Sequence, residues 1–158
     1  MTYYRYMDSP VGRLLVAGDH GELCRICFPK GNRPDLPETH WVEARKPLEE
    51  AVLQLQAYFA GKLKIFSLNL CLDVTPFQKK VLTALQQIPY GETASYGEVA
   101  EKIGNPMASR AVGQANARNP IPIIIPCHRV VGSNGTLTGF GGGVAVKQAL
   151  LDLEQRHR

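Results

Sequence analysis

The chain has 158 residues, 44% hydrophobic and 20% charged, which is enough to bury the core of one domain or two small ones and excludes a disordered tail. No apolar run approaches the roughly 20 residues that span a bilayer, and the start MTYYRYMDSP lacks the apolar stretch of a signal peptide, so a soluble intracellular protein that meets no membrane is expected. The net charge of +4 lies in the second half: residues 1–74 hold 9 basic and 9 acidic side chains, whereas residues 75–158 hold 9 and 5, which points to a polyanionic partner there.

Residues 2–6, 13–18 and 22–28 are short β-type runs separated by the turn signals DSPVG and GDHG, so the chain begins as a small antiparallel sheet that the segment FPKGNRPDLPE ends. Within the third run, Cys24 and Cys27 form CRIC, but no second such pair follows, and residues three apart on a strand point to opposite faces. No metal is expected. Four cysteines are too few for a disulfide scaffold, and a reducing compartment leaves Cys127 a free thiol.

KPLEEAVLQLQAYFAG reads as an amphipathic helix, with Pro47 near its start, Leu48, Val52, Leu55 and Phe59 on one face, and Gly61 as its stop. A boundary near residues 71–78 divides the chain into an N-terminal α+β domain, 1–74, and a mostly helical C-terminal domain, 75–158, an α/β protein overall. Thr75 can cap a helix with Pro76 at its first position and Phe77, Val81, Leu82 and Leu85 on one face, until IPYGE stops it. SYGEVAEKIG and PMASRAVGQANARNP follow, two short helical patterns joined by GNP. Ser95 with Glu98 forms a capping box at the start of the first, and the pair reads as a helix-turn-helix. A last helix covers about 144–156.

On the helix from about 107 to 118, Ala108, Ala111, Val112 and Ala115 share one face, while Arg110 and Gln114, four apart, share another. Small residues such as Gly113 and Ala117 allow close approach to a second surface, where a single Arg can enter a groove or replace a base in a stack. The plainer reading is a packed helix pair with a solvated Arg.

In NPIPIIIPCHRVVG, Pro120, Pro122 and Pro126 remove donors and disfavour helix for the residue before each, so an extended, restrained, apolar segment is expected to fix the direction of Cys127. A thiol with an ordinary pKa near 8.5 needs activation at neutral pH. His128 is the obvious base, linked more naturally through a water than directly; Asp152 or Glu154 can orient it, and Arg129 can lower the thiol pKa. The plainer reading makes Cys127 a small buried hydrophobe and His128 a satisfied surface residue.

With PCHRV behind NPIPIII, and SYGEVA, GNP, SRAVG and ARNP before it, the sequence resembles the O6-alkylguanine-DNA alkyltransferases from about Phe77 to Glu154. The resemblance implies a protein that flips O6-alkylguanine, and with it O4-alkylthymine, out of duplex DNA and moves the alkyl group irreversibly onto its own cysteine. Flipping is needed because the O6 atom is out of reach inside the duplex. By position, Cys127 is the acceptor, His128 the water-linked base, Glu154 the carboxylate that orients it, and Asn119 the brace of the preceding turn. Arg110 matches the intercalating arginine and Tyr96 the tyrosine at the flipped nucleotide, with Gln114, Ala111 and Gly113 completing the expected DNA-facing set. The backbone carbonyls of Cys127 and Val130 match those that hold the guanine amino group, and the expected pocket is Tyr96, Pro122, Val130, Phe140, Gly141 and Gly142. The chain departs from some members at TGFGGG, where Phe140 stands for a tyrosine and Gly141 for a larger residue; a mobile pocket loop is expected there rather than a phosphate loop. The partner implied is duplex DNA carrying an alkylated guanine, with no cofactor, a monomeric state and a cytoplasmic location, or a nuclear one in a eukaryote. Two alternatives are a non-catalytic lesion binder, which would lack Cys127, and a cysteine hydrolase, which would turn over repeatedly and need an oxyanion hole.

Overall fold

The computed structural model describes residues 1–31, 35–137 and 139–158. Asn32, Arg33 and Pro34 of the expected sheet-ending segment, and Thr138 of the expected pocket loop, lie outside that set. Three strands, β1 (Tyr3–Met7), β2 (Leu14–Asp19) and β3 (Glu22–Cys27), form the expected antiparallel meander. A two-residue strand that the sequence did not announce, β4 (Val42–Glu43), adds to β1 in parallel, giving the order β3-β2-β1-β4. The β2–β3 register shifts at Ala17/Gly18, and Gly18 is required there, because a Cβ would stand 2.2 Å from the Glu22 carbonyl oxygen.

A 3-10 turn over Lys46–Leu48 leads into α1 (Glu49–Phe59), which buries Ala51, Val52, Gln54, Leu55 and Tyr58. The stripe is rotated from the expected one: Tyr58 is fully enclosed and Phe59 only partly. Beyond it, α2 (Pro76–Leu85) starts at Thr75 with a full capping box, because Gln78 returns a bond to the Thr75 N–H.

The helix-turn-helix forms as expected from α3 (Tyr96–Lys102) and α4 (Ser109–Ala117), with Ser95 and Glu98 making the reciprocal cap of α3. The turn between them is set by Gly104. At φ +81° it lets Asn105 N–H reach the Ala100 carbonyl and its own N–H reach Glu101, both at about 3 Å, which satisfies two carbonyls that α3 would leave open. The last helix is α5 (Val144–Arg156).

One continuous core joins the two halves, running from Leu14, Val16 and Ile26 through Leu55 and Tyr58 to Leu82, Val112, Ile121 and Leu153. Each such aliphatic side chain contributes about 1.5–3 kcal/mol on burial. Two seams position the chemistry. Ile26 N–H donates to the Pro120 carbonyl at 3.0 Å, tying β3 to the segment before Cys127. A short parallel pair, β5 (Ala94–Ser95) with β6 (Val130–Val131), ties the start of α3 to the segment after it.

Candidate active site

The PIPIIIP run is not extended. It doubles back at Ile123 and Ile124, with Ile125 N–H donating to the Ile121 carbonyl at 3.0 Å and Ile123 at φ +74°. Proline biases the residues before it but cannot oppose a tight turn that is paid for elsewhere, and a β-branched residue at positive φ persists only when its surroundings over-determine it. Asn119 supplies that restraint. Its buried amide donates to the Ile125 carbonyl at 2.8 Å, and its oxygen accepts from Ile121 N–H at 3.0 Å. The chain leaves this turn into a 3-10 turn, Cys127–Arg129, whose three side chains are all buried.

His128 Nε2 lies 2.7 Å from Glu154 Oε2 on α5, which decides between the two candidate carboxylates, since Asp152 is exposed and bonded to Gln148. Arg129 does not serve the thiol as expected. Its guanidinium takes Glu154 in a fork, Nε to Oε1 at 2.9 Å and Nη2 to Oε2 at 3.0 Å, and Nη1 donates to the Ile88 carbonyl. Among the described residues, Gly91 N–H and the Tyr58 hydroxyl complete five donors around one buried carboxylate. Although burial raises it, the His128 and Arg129 contacts hold the Glu154 carboxyl far below the usual carboxylate range.

Burial pushes His128 below 6.5, against the upward pull of Glu154. This direction follows from charge balance: Arg129 already neutralises Glu154, so a second proton on His128 would leave an uncompensated buried cation. The imidazole rests neutral, and its Nδ1 has no hydrogen-bond partner among the described residues.

Burial also pushes the Cys127 thiol up to about 11, opposed by the Asn119 amide, the Lys147 charge and nearby backbone N–H groups. The resting group is therefore a thiol, guarded from stray electrophiles. Lys147, in the first turn of α5, is fully enclosed, and burial lowers its own pKa. Cys127 lines a cavity of about 30 Å³ with Asn119, Pro122, Phe140, Gly141 and Gly142, and with Ile26 and Phe28 from the N-terminal half. Phe140 packs on Phe28 at 5.4 Å between ring centroids, and a Cβ on Gly142 would stand 2.7 Å from Phe28, so the Gly-rich loop packs tightly on Phe28 at the rim of the cavity.

Tyr96 and Val130 are not in the lining. Tyr96 meets the same loop at Gly139, where its hydroxyl is 3.1 Å from the position of a Cβ, and Val130 is buried in the β5–β6 seam. The Cys127 carbonyl already accepts from Asn116 Nδ2 at 3.3 Å and from Val130 N–H. Arg110 and Gln114 stand exposed on α4, Ala111 is half-buried, and Gly113 faces the Tyr96 ring at ordinary contact distance. Cys24 and Cys27 diverge as strand geometry requires: Cys27 lines the cavity, and Cys24 lies against Cys71, burial and that neighbour raising its pKa to about 12.

Tyr58, Gly91, Asn116 and Lys147 were not read from sequence. A signal existed for two of them: Tyr58 follows Leu55 by three, and Lys147 precedes Leu150 by three, so each shares a buried helical stripe.

Residues 76–156 match the DNA-binding domain of 6-O-methylguanine DNA methyltransferase, and residues 2–72 match the ribonuclease-like domain of the same family. The chain belongs to the 6-O-methylguanine DNA methyltransferase family. A methylated-DNA–protein-cysteine methyltransferase of Methanosarcina acetivorans is 54% identical over 153 residues, covering 96% of this chain and 97% of that one. Among solved structures, Mycobacterium tuberculosis OGT in complex with DNA superposes with a TM-score of 0.92 at 50% identity, covering 98% of this chain and 94% of that one. The O6-methylguanine-DNA methyltransferase of the archaeon Pyrococcus kodakaraensis superposes at 0.67 with 26% identity over 98% of this chain and 99% of that one. In methyltransferase terms, the DNA-binding match holds Cys127, His128, Arg129 and Glu154, whereas Tyr58 falls in the ribonuclease-like match. Among the described residues, no helix is long and apolar enough to cross a membrane.

Proposed function

We propose that this chain repairs duplex DNA by direct reversal, flipping an O6-alkylguanine out of the helix and taking its alkyl group irreversibly onto Cys127. Substrates extend to O4-alkylthymine, which presents the same alkyl–oxygen bond beside a ring nitrogen. One observation carries the reading: a sheltered thiol on a braced turn stands next to a neutral histidine already bonded to a buried carboxylate.

The chemistry follows from those groups. His128, held through Nε2 by Glu154, accepts the Cys127 proton at Nδ1 by way of a water. The thiolate attacks the alkyl carbon in line, a carbon–sulfur bond forms, the carbon–oxygen bond breaks, and its electron pair returns to guanine O6. A proton from Tyr96 neutralises the leaving base, while a backbone N–H of the loop at Gly141 donates a hydrogen bond to its O6. The thioether product has no hydrolytic exit, so each molecule reacts once and no cofactor enters.

On the DNA side, Arg110 fills the gap left by the flipped base while Gln114, Ala111 and Gly113 give α4 a close surface against the groove. Residues 75–158 carry DNA contact and chemistry, and residues 1–74 contribute a wall of the pocket through Ile26 and Phe28. Because the space beside the thiol is far smaller than a purine, the loop at 139–143 shifts to receive a base. The protein acts as a monomer, in the cytoplasm or, in a eukaryote, the nucleus.

The test is intact mass after incubation with a duplex carrying O6-methylguanine. A gain of one methyl per chain, mapped to the Cys127 peptide and abolished in Cys127→Ala with duplex binding retained, supports the reading. Repeated turnover would mark a hydrolase, tight binding without mass gain would mark a lesion binder, and label on Cys24, Cys27 or Cys71 would overturn the assignment of the acceptor.

A further inference from the structure

Four of the five donors to Glu154 come from the C-terminal half, but the fifth arrives from 96 residues away. Tyr58, on α1, donates its hydroxyl to Oε2 at 2.7 Å, the same oxygen that His128 Nε2 approaches at 2.7 Å. The phenol is fully buried and its ring is clamped edge-on by Phe59 at 5.4 Å, tilted against Phe66 at 5.5 Å and edge-on to Tyr90 at 6.2 Å.

We infer that Tyr58 is a positioning residue of the relay, contributed by the N-terminal half, which fixes the Glu154 carboxylate and sets the proton affinity of His128. The assignment rests on reading His128 as the base. As a further donor on Oε2, beside Arg129 Nη2 at 3.0 Å, the Tyr58 hydroxyl draws negative charge away from the His128 N–H, so it holds the imidazole less basic than Glu154 and Arg129 alone would make it. The ionisable and charged groups around the pair are Arg129 beside Glu154, Tyr90 beyond it with Arg129 stacked over its ring at 5.6 Å, and Lys147 and Cys127 on the histidine side. Only Tyr58 reaches the shared oxygen from α1, and its ring packing is independent of its hydroxyl.

The experiment follows single-turnover methyl transfer from an O6-methylguanine duplex against pH in the full chain, where the acid limb reports loss of the neutral base. Tyr58→Phe keeps the ring and removes the donor. The acid limb should move up by about 0.5–1 pH unit, so that rates on that limb fall roughly 3- to 10-fold, while duplex affinity is unchanged within about twofold. Replacing Tyr58 by 3-fluorotyrosine, a stronger donor of almost the same shape, should move the limb the other way. It decides the matter if Tyr58→Phe folds poorly. A limb that stays in place in both proteins, even with a lower rate, marks a packing role and overturns the inference. Glu154→Gln separates the two levels. If it moves the limb while both Tyr58 replacements do not, Tyr58 alone is wrongly assigned; if none of the three moves it, the relay reading fails with it.

Discussion

Replacing Asn119 by Ala removes the restraint on the turn that aims Cys127. Two backbone groups, Ile121 N–H and the Ile125 carbonyl, lose their side-chain partner in a buried site. Each such orphan costs about 1–3 kcal/mol, giving about 2–6 kcal/mol before relaxation. If the turn opens, Ile123 leaves its positive φ and returns about 1–2 kcal/mol. The net loss of stability should be about 1–4 kcal/mol, read as a lower urea midpoint with an unchanged m-value. The thiol also loses the amide that opposes the rise of its pKa. With its direction loosened as well, single-turnover transfer should slow by about 100-fold or more. Asn119→Asp sharpens the test, because it keeps the acceptor for Ile121 but sets a carboxylate oxygen against the Ile125 carbonyl, and should be at least as damaging. A loss under about 0.5 kcal/mol in Asn119→Ala, or full rescue by Asp, would refute the bracing argument.

Acid should destabilise the fold in two stages. The folded His128 has a pKa below 6.5, so stability falls as pH drops through about 6.5, where only the unfolded chain takes up that proton. Glu154, with its folded pKa depressed, adds stability above about 4.5 that is lost as pH falls further. Urea midpoints between pH 8 and 4 check both, and His128→Asn should flatten the upper stage; parallel curves would count against it. Lys147→Met keeps the buried stem and removes the charge that favours the thiolate, so transfer should slow about tenfold while thermal stability holds or rises, since a buried ammonium no longer has to be desolvated. Unchanged rates would remove Lys147 from the chemistry. Arg110→Ala should slow repair of duplex substrate far more than reaction with free O6-benzylguanine, which needs no unstacking. Equal losses on both would assign Arg110 to folding.

What depends on near neighbours in the chain was legible in the sequence. The Ser95–Glu98 cap, the Pro76 start of α2, the span of α5 and the outward pair Arg110 and Gln114 all follow from interactions within one helical turn. The motif around PCHRV likewise singled out Cys127 and His128, which the fold buries together on one 3-10 turn. Other features belong to the tertiary structure. Arg129 sits two residues from the thiol in sequence yet spends its guanidinium on Glu154, because α5 brings a buried carboxylate that needs a bidentate partner more than a neutral thiol does. The PIPIIIP segment turns instead of extending, because Asn119 supplies hydrogen bonds that backbone preference alone cannot outweigh. Tyr58 meets Glu154 across 96 residues, and β3 lends Ile26, with Phe28 just beyond it, to the wall beside Cys127. A local pattern records which face of an element is buried, but not what it is buried against. That partner is chosen when the halves close on one core, where each buried polar group must find its complement.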